Sequence, residues 1–116
     1  MLTTSGKKKE RPPASPLSPE GSRLIVGILT VELFIGEVHS LKEKRKVLKS
    51  VIDRIKKRFN VSIAEIGEQD IWQRSTLGLS MISNEQAYVH KVFAAVVKFI
   101  ETQGMLTITD YQIQLF

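Results

Sequence analysis

The sequence of 116 residues contains no cysteine. This absence excludes disulfides, thiolate zinc sites, iron–sulfur clusters and cysteine nucleophiles. Long apolar runs are also missing: the longest, 24–35, is interrupted by Glu32 and is shorter than the roughly 18 residues that span a bilayer. The basic N-terminus is followed by prolines rather than by an apolar segment, so it does not have the pattern of a secretory signal. Together these features predict a cytoplasmic protein without membrane contact.

Groups that commonly carry catalysis are scarce. The sequence has two histidines, His39 and His90, and neither lies in a metal-ligand spacing or a nucleophile motif. Carboxylates occur singly, and there is no glycine-rich phosphate loop. We therefore predict that the protein is not an enzyme and has no catalytic residue, no metal site and no cofactor. The sequence leaves open an acid–base pair of carboxylates, such as Glu32 with Asp110.

Proline is confined to the N-terminal part of the chain, since all four prolines lie in the first nineteen residues. Such a Pro-, Ser- and Lys-rich segment cannot bury enough apolar surface to offset the entropy lost on ordering. We therefore predict that residues 1–23 form a disordered basic tail and that residues 24–116 form a single domain. The lysine run 7–9 is either a solvated part of this tail or a contact for RNA or an acidic surface.

The hydrophobic pattern of residues 24–116 alternates between strand and helix periods. Ser40 with Glu43, and Ser83 with Gln86, form the sequence signature of a capping box before each helix. The predicted elements, in chain order, are a strand over 24–35, a helix over about 41–58, strands over 61–68 and 71–83, a helix over about 85–103 and a strand over 106–115.

The element order β-α-β-β-α-β predicts an α+β, ferredoxin-like sandwich, in which two helices cover one face of a four-stranded antiparallel sheet. Right-handed crossover connections then give the spatial strand order 4-1-3-2.

The predicted first helix carries most of the excess positive charge, with nine lysines and arginines against two acidic residues over 41–58. At 100° per residue, six of these cations fall in one sector of about 120° opposite the apolar stripe. They are Lys42, Arg45, Lys46, Lys49, Lys56 and Lys57. This pattern favours contact with RNA phosphates without recognition of bases, and the alternative is a solvated helix face. Lys44 lies in the apolar sector, and we expect its stem to reach past the sheet edge to water; the alternative is a lysine with a functional role.

The sheet face opposite the helices is the second candidate surface, because nothing in this topology covers it. The alternation places there Thr30, Glu32, Phe34, Trp72, Arg74, Thr76, Ser80, Asp110, Gln112, Gln114 and Phe116. One interpretation is a homodimer face, where Glu32 or Asp110 of one subunit pairs with Arg74 of the other. A base-stacking face is disfavoured because residues 76–82 contain no aromatic side chain. A plain solvent surface is the third interpretation.

Four segments, 25–33, 39–45, 70–74 and 109–113, resemble the YlxP-like family of small bacterial proteins of unknown function. The Ser-Leu-Lys-Glu-Lys-Arg run over 40–45 and the Asp-Ile-Trp-Gln-Arg run over 70–74 are the most specific of them. The resemblance implies a ferredoxin-like fold for residues 24–116. The family's genes often lie among those for transcription termination, translation initiation and ribosome maturation, which implies a role near RNA or the ribosome. The resemblance supplies no established activity, ligand or catalytic residue.

We therefore predict a cytoplasmic, homodimeric accessory protein whose partner is ribosomal RNA or the ribosome, bound through the phosphate contacts of the basic helix face. The alternative is a homodimeric protein-interaction or small-ligand regulatory module that acts through the open sheet face, with Glu32, Trp72, Arg74, Asp110 and Gln112 as its central residues.

Overall fold

The computed structural model describes residues 24–116, so the predicted tail over 1–23 lies outside the described residues. Six elements follow one another in the predicted order: β1 (Ile25–Ile35), α1 (Leu41–Arg58), β2 (Ser62–Gly67), β3 (Arg74–Ser83), α2 (Gln86–Glu101) and β4 (Leu106–Leu115). Neither helix in this part of the chain is long and apolar enough to cross a membrane.

The four strands form one sheet in the order β2-β3-β1-β4, with antiparallel pairing throughout. This is the predicted order 4-1-3-2 counted from the other edge. Both helices pack on the same face, where they enclose the core with the inward side chains of the sheet. The ferredoxin-like fold is therefore confirmed.

β1 is the central strand, and its two faces differ as the alternation predicts. Leu29, Val31, Leu33 and Ile35 face the helices and are at most 1% exposed, and full burial of such a side chain stabilises the fold by about 1.5–3 kcal/mol. Gly27 precedes them on the same face, and a Cβ atom built there would lie 2.4 Å from Val89 Cγ1. The glycine thus lets α2 approach the strand backbone closely.

The capping box before α1 is confirmed in its essential contact. The Glu43 N–H donates to Ser40 Oγ over 3.1 Å, and Glu43 Oε1 accepts from the His39 N–H over 2.7 Å. The second capping prediction is wrong. α2 has Glu85 as its N-cap without a side-chain hydrogen bond, and Ser83 Oγ accepts from the Glu85 N–H instead.

β4 contains an irregularity that the alternation did not predict. Glu32 lies opposite Asp110, but Leu33 lies opposite Ile108, so Thr109 is an extra residue on β4. Such a bulge shifts the alternation by one residue between its two sides. In a regular strand Ile108 would share the face of Asp110, but here Ile108 packs against the core while Asp110 lies on the open face.

Candidate functional site

α1 presents one side to the sheet and the opposite side to solvent. Lys44, Leu48, Val51 and Ile55 are its buried residues. The six cations that the sequence analysis assigned to the outer side are all exposed: Lys42, Arg45, Lys46, Lys49, Lys56 and Lys57. We call this set the basic ridge, and it extends over about 22 Å of the helix axis, from the rise of 1.5 Å per residue.

Little of the charge of the basic ridge is neutralised within residues 24–116. Lys49 Nζ lies 3.0 Å from Asp53 Oδ2, and this is the one ion pair of the ridge within the described part of the chain. Because both side chains are exposed, such a pair contributes less than about 1 kcal/mol. The other five cations of the ridge have no ion pair there.

The remaining cations of α1 make contacts that hold the fold together. Arg54 donates to Gln103 Oε1 over 2.6 Å. The Arg58 guanidinium lies 5.0 Å from the Phe99 ring centroid and 5.9 Å from that of Phe59. These arginines therefore join α1 to the end of α2, whereas the basic ridge faces away from the protein.

Position along the helix separates the cations of the basic ridge into two groups. Lys56 and Lys57 lie in the last turn, where a positive charge is favoured by the partial negative charge of the helix C-terminus. Lys42 lies in the first turn, where the helix dipole disfavours a positive charge. Arg45 and Lys46 follow in the second turn. Stabilisation of the helix by its dipole therefore does not explain the cations in the first half of the ridge.

Lys44 does not reach water, so the expectation that it passes the sheet edge is wrong. Its side chain is 1% exposed, and Nζ donates to the carbonyl oxygens of Glu68 and Ile71, each over 2.6 Å. Nζ also lies 2.9 Å from Glu65 Oε2. A lysine in the apolar sector signals an unusual contact, but the partners come from a distant segment that helical periodicity cannot identify.

The two carbonyl partners of Lys44 belong to the segment between β2 and β3, and its carboxylate partner, Glu65, belongs to β2. Glu65 Oε2 also accepts from Ser75 Oγ over 2.7 Å. Glu68 has a φ of 60°, a left-handed conformation that is costly for a residue with a side chain. Lys44 thus holds the turn from Glu68 to Ile71 through the backbone carbonyls of these two residues.

Trp72 lies in this connection rather than in the third strand, because β3 begins at Arg74. The prediction that Trp72 belongs to the strand alternation of the open face is therefore wrong. Its ring contacts His39 edge to face, with 6.2 Å between ring centroids, and it remains 42% exposed.

The other predicted residues of the open face lie where the alternation places them. Glu32 is opposite Asp110 on β4 and Thr76 on β3. Gln112 is opposite Thr30, and Arg74 is opposite Phe34. None of Glu32, Asp110 and Arg74 has an ion pair within residues 24–116, so the two carboxylates face each other without a cation between them.

The open face also exposes apolar side chains that the sequence analysis did not assign to it. Ile82 is 67% exposed and Ile66 is 59% exposed. Phe34, which the alternation places on the open face, is 37% exposed. The position of Ile82 was predictable, because Ile82 follows the core residue Met81 in a strand and therefore lies on the opposite face. Ile66 lies beside a register shift in β2, and its side chain covers Gly78. Its position therefore depends on strand pairing.

No metal cluster accompanies these surfaces: residues 24–116 contain no group of three or more histidine or acidic side chains placed to hold a metal ion.

Comparison with known proteins gives the family. The sequence profile of a family described as "Protein of unknown function (DUF503)" matches residues 26–113. The chain belongs to this family. A relative from Bacillus subtilis (strain 168), "Uncharacterized protein YlxP", is 41% identical over 78 residues, which cover 67% of this chain and 85% of the relative. The resemblance to the YlxP-like family is thereby confirmed.

Two solved structures are similar in outline to this DUF503 protein. "De novo designed protein Foldit4" has a TM-score of 0.47 at 7% identity and covers 81% of this chain and 97% of its own. "De novo designed protein Ferredog-Diesel" has a TM-score of 0.42 at 15% identity and covers 93% of this chain and 99% of its own. The strand order and the placement of both helices on one face of the sheet define the ferredoxin-like fold.

Proposed function

We propose that this DUF503 protein is an RNA-binding accessory protein that contacts ribosomal RNA through the basic ridge, without sequence specificity. The observation that carries the proposal is the row of exposed cations on one side of α1, five of which have no ion pair within residues 24–116. Phosphate contacts of this kind supply most non-specific affinity for nucleic acids.

The spacing of the basic ridge supports a role outside folding. Lys42 and Lys46 are four residues apart, as are Arg45 and Lys49, and like charges at this spacing destabilise a helix by about 0.2–0.5 kcal/mol per pair. The charge distribution therefore disfavours the first half of α1, and phosphate groups placed along this part of the ridge would relieve the repulsion.

A matched pair of double variants tests the proposal. The ridge variant is Arg45→Gln and Lys49→Gln, and the control is Lys91→Gln and Lys98→Gln, which removes the same charge from exposed positions of α2.

Binding of both double variants to a ribosomal RNA fragment is followed by fluorescence anisotropy over a range of salt concentrations. If the two ridge cations contact phosphates of a single strand, the slope of log K against log salt falls in magnitude by about 1.4 for the ridge variant, at roughly 0.7 per contact. We expect the control to keep the slope of the native protein. Equal affinities and slopes for the two variants would contradict the proposal.

Sedimentation of the tagged protein with ribosomal subunits, at low and high salt and with and without RNase, tests the identity of the partner. The proposal predicts co-sedimentation that is lost at high salt. Binding that survives both high salt and RNase would indicate a protein partner instead.

A specific observation favours a second candidate, a homodimer through the open sheet face. Glu32 and Asp110 are directly opposite, an arrangement of like charges that destabilises an isolated sheet. Arg74 lies exposed on the same face. In a two-fold dimer, Arg74 of each subunit would neutralise the carboxylates of the other, and Ile66 and Ile82 would be covered.

Analytical ultracentrifugation tests the dimer. We expect the native protein to dimerise, Arg74→Glu to dissociate it, and Lys91→Glu on the opposite layer to leave the dimer intact. A native protein that remains monomeric at all concentrations would refute this candidate.

A further inference from the structure

A groove lies beside the basic ridge, between α1 and the connection from α2 to β4. The contacts of Arg58 with Phe99 and of Arg54 with Gln103 show that α1 runs antiparallel to the end of α2. α2 ends at Glu101. The part of α1 that precedes Arg54 therefore faces the connection from α2 to β4 and not a helix. The space between them has a volume of about 390 Å³.

The groove has an apolar floor and cationic ends. Val47 and Val51 of α1, Met105 of the connection and Leu106 at the start of β4 form the floor, and Val51 and Leu106 belong to the buried core. Lys46 and Arg54 lie at the two ends, about 12 Å apart along the helix axis. No acidic side chain lines the groove.

The two cations differ in how they are held. The Arg54 guanidinium is fixed by its hydrogen bond to Gln103 Oε1 and retains further N–H donors. Lys46 is exposed and belongs to the basic ridge. The groove is therefore complementary to an anion that has a flat apolar part. It adjoins the basic ridge, because Lys46 belongs to both surfaces.

We infer that the groove takes one nucleotide unit of a single-stranded RNA, with the base on the Val47 and Met105 floor and its phosphate at Lys46, while Arg54 at the far end takes a phosphate further along the strand. The inference rests on the proposed function and deepens it, because Lys46 belongs to both surfaces. The volume is in the range of small-ligand pockets. A base in a duplex is stacked and paired, whereas an unstacked base can enter such a groove. The protein thus prefers single-stranded to double-stranded RNA.

The NMR signals of the methionine methyl groups test the inference directly in the native protein, without any substitution. The chain has three methionines, Met1, Met81 and Met105. Met105 lines the groove, while Met81 is 7% exposed in the core and is an internal control. With ¹³C-methyl labelling, AMP at up to ~10 mM should shift the Met105 signal, through the ring current of the base, and leave Met81 unchanged.

Inorganic phosphate alone should move the Met105 signal less than AMP, because it has no base. The inference is overturned if neither AMP nor an oligo(A) of about twelve nucleotides moves this signal. It is also overturned if an acidic, leucine-containing peptide moves the signal and AMP does not.

A pair of charge variants tests the preference for a single strand. Met105→Glu places a carboxylate in the groove, and Ala94→Glu adds the same charge at an exposed position of α2. We expect Met105→Glu to weaken binding of single-stranded oligo(A) about tenfold with a smaller effect on a duplex of the same length. Ala94→Glu should leave both affinities unchanged, and equal losses for the two RNAs would contradict the inference.

The outcomes separate the two proposals. RNA binding that depends on the basic ridge, with an unmoved Met105 signal, would remove the groove and leave the proposed function. A Met105 signal that responds to AMP in a protein that binds no RNA would support the groove as a nucleotide site and refute the proposed function. If Met105→Glu does not fold, the methyl spectra of the native protein still decide the question.

Discussion

Replacement of Lys44 by methionine tests whether the buried lysine holds the β2–β3 connection in place. The change keeps most of the aliphatic volume, so it leaves little cavity. It removes the two hydrogen bonds to the carbonyl oxygens of Glu68 and Ile71 and the ion pair with Glu65. The loss of stability therefore measures the polar contacts rather than the packing.

The magnitude follows from burial. Removal of one partner of a buried ion pair costs about 3–5 kcal/mol. The Glu65 side chain is 19% exposed and retains the Ser75 hydroxyl as a donor, so part of its charge stays solvated. We therefore expect Lys44→Met to lower the free energy of unfolding by about 2–4 kcal/mol, a large share of the 5–15 kcal/mol typical of a domain.

Urea denaturation followed by circular dichroism measures the global change, and fluorescence of Trp72, the only tryptophan, reports on the connection itself. Because Trp72 directly follows Ile71, its emission should change in Lys44→Met at urea concentrations below the global transition. Lys42→Met, on the exposed side of the same helix, should change stability by no more than about 0.5 kcal/mol.

A double-mutant cycle with Glu65→Gln isolates the ion pair, since the double variant should be more stable than the sum of the two single losses predicts. A loss below about 1 kcal/mol for Lys44→Met, with unchanged Trp72 emission, would refute the reasoning.

Three further substitutions, the first with a matched control, test other features of the fold and the ridge. Gly27→Ala should destabilise by about 1–3 kcal/mol, because the added Cβ meets Val89, whereas Gly104→Ala, with nothing within 4 Å, should be nearly neutral in thermal unfolding. Ser40→Ala should cost about 0.5–2 kcal/mol in urea, since it removes the N-cap acceptor of α1; a change within experimental error would contradict the cap assignment. Lys42→Glu should raise stability by about 0.3–1 kcal/mol, because it places a negative charge in the first turn, and should weaken RNA binding; a loss of stability, or unchanged RNA binding, would contradict this expectation.

The fold was predictable because its determinants are local. The alternation in β1, the apolar stripe of each helix and the Ser40 cap each depend on residues close in sequence, and their order restricts the topology to few choices. The side of α1 that carries the basic ridge was predictable for the same reason, because helical periodicity fixes which residues lie opposite the stripe.

The features that the sequence did not predict depend on partners distant in the chain. The bulge at Thr109 exists only relative to β1, and the late start of β3 accompanies the contacts of Lys44 with the preceding connection. The groove at Met105 requires α1 and the α2–β4 connection to be placed side by side. In each case the pattern within one segment carries no information about the segment that it meets.

The two candidate surfaces lie on opposite layers of the protein, which determines how the proposals relate. The basic ridge is on the outer side of the helix layer, and Arg74 with Ile82 is on the far side of the sheet. A dimer formed through the sheet would therefore leave both ridges, and both grooves, in solvent and directed away from each other. Two ridges on one particle would strengthen binding to a long RNA by multivalency, without any new contact. If both proposals hold, Arg74→Glu should weaken binding to a long RNA more than binding to a short oligonucleotide. If the protein binds RNA as a monomer, Arg74→Glu should lower the affinities for the long RNA and the oligonucleotide to a similar, small degree.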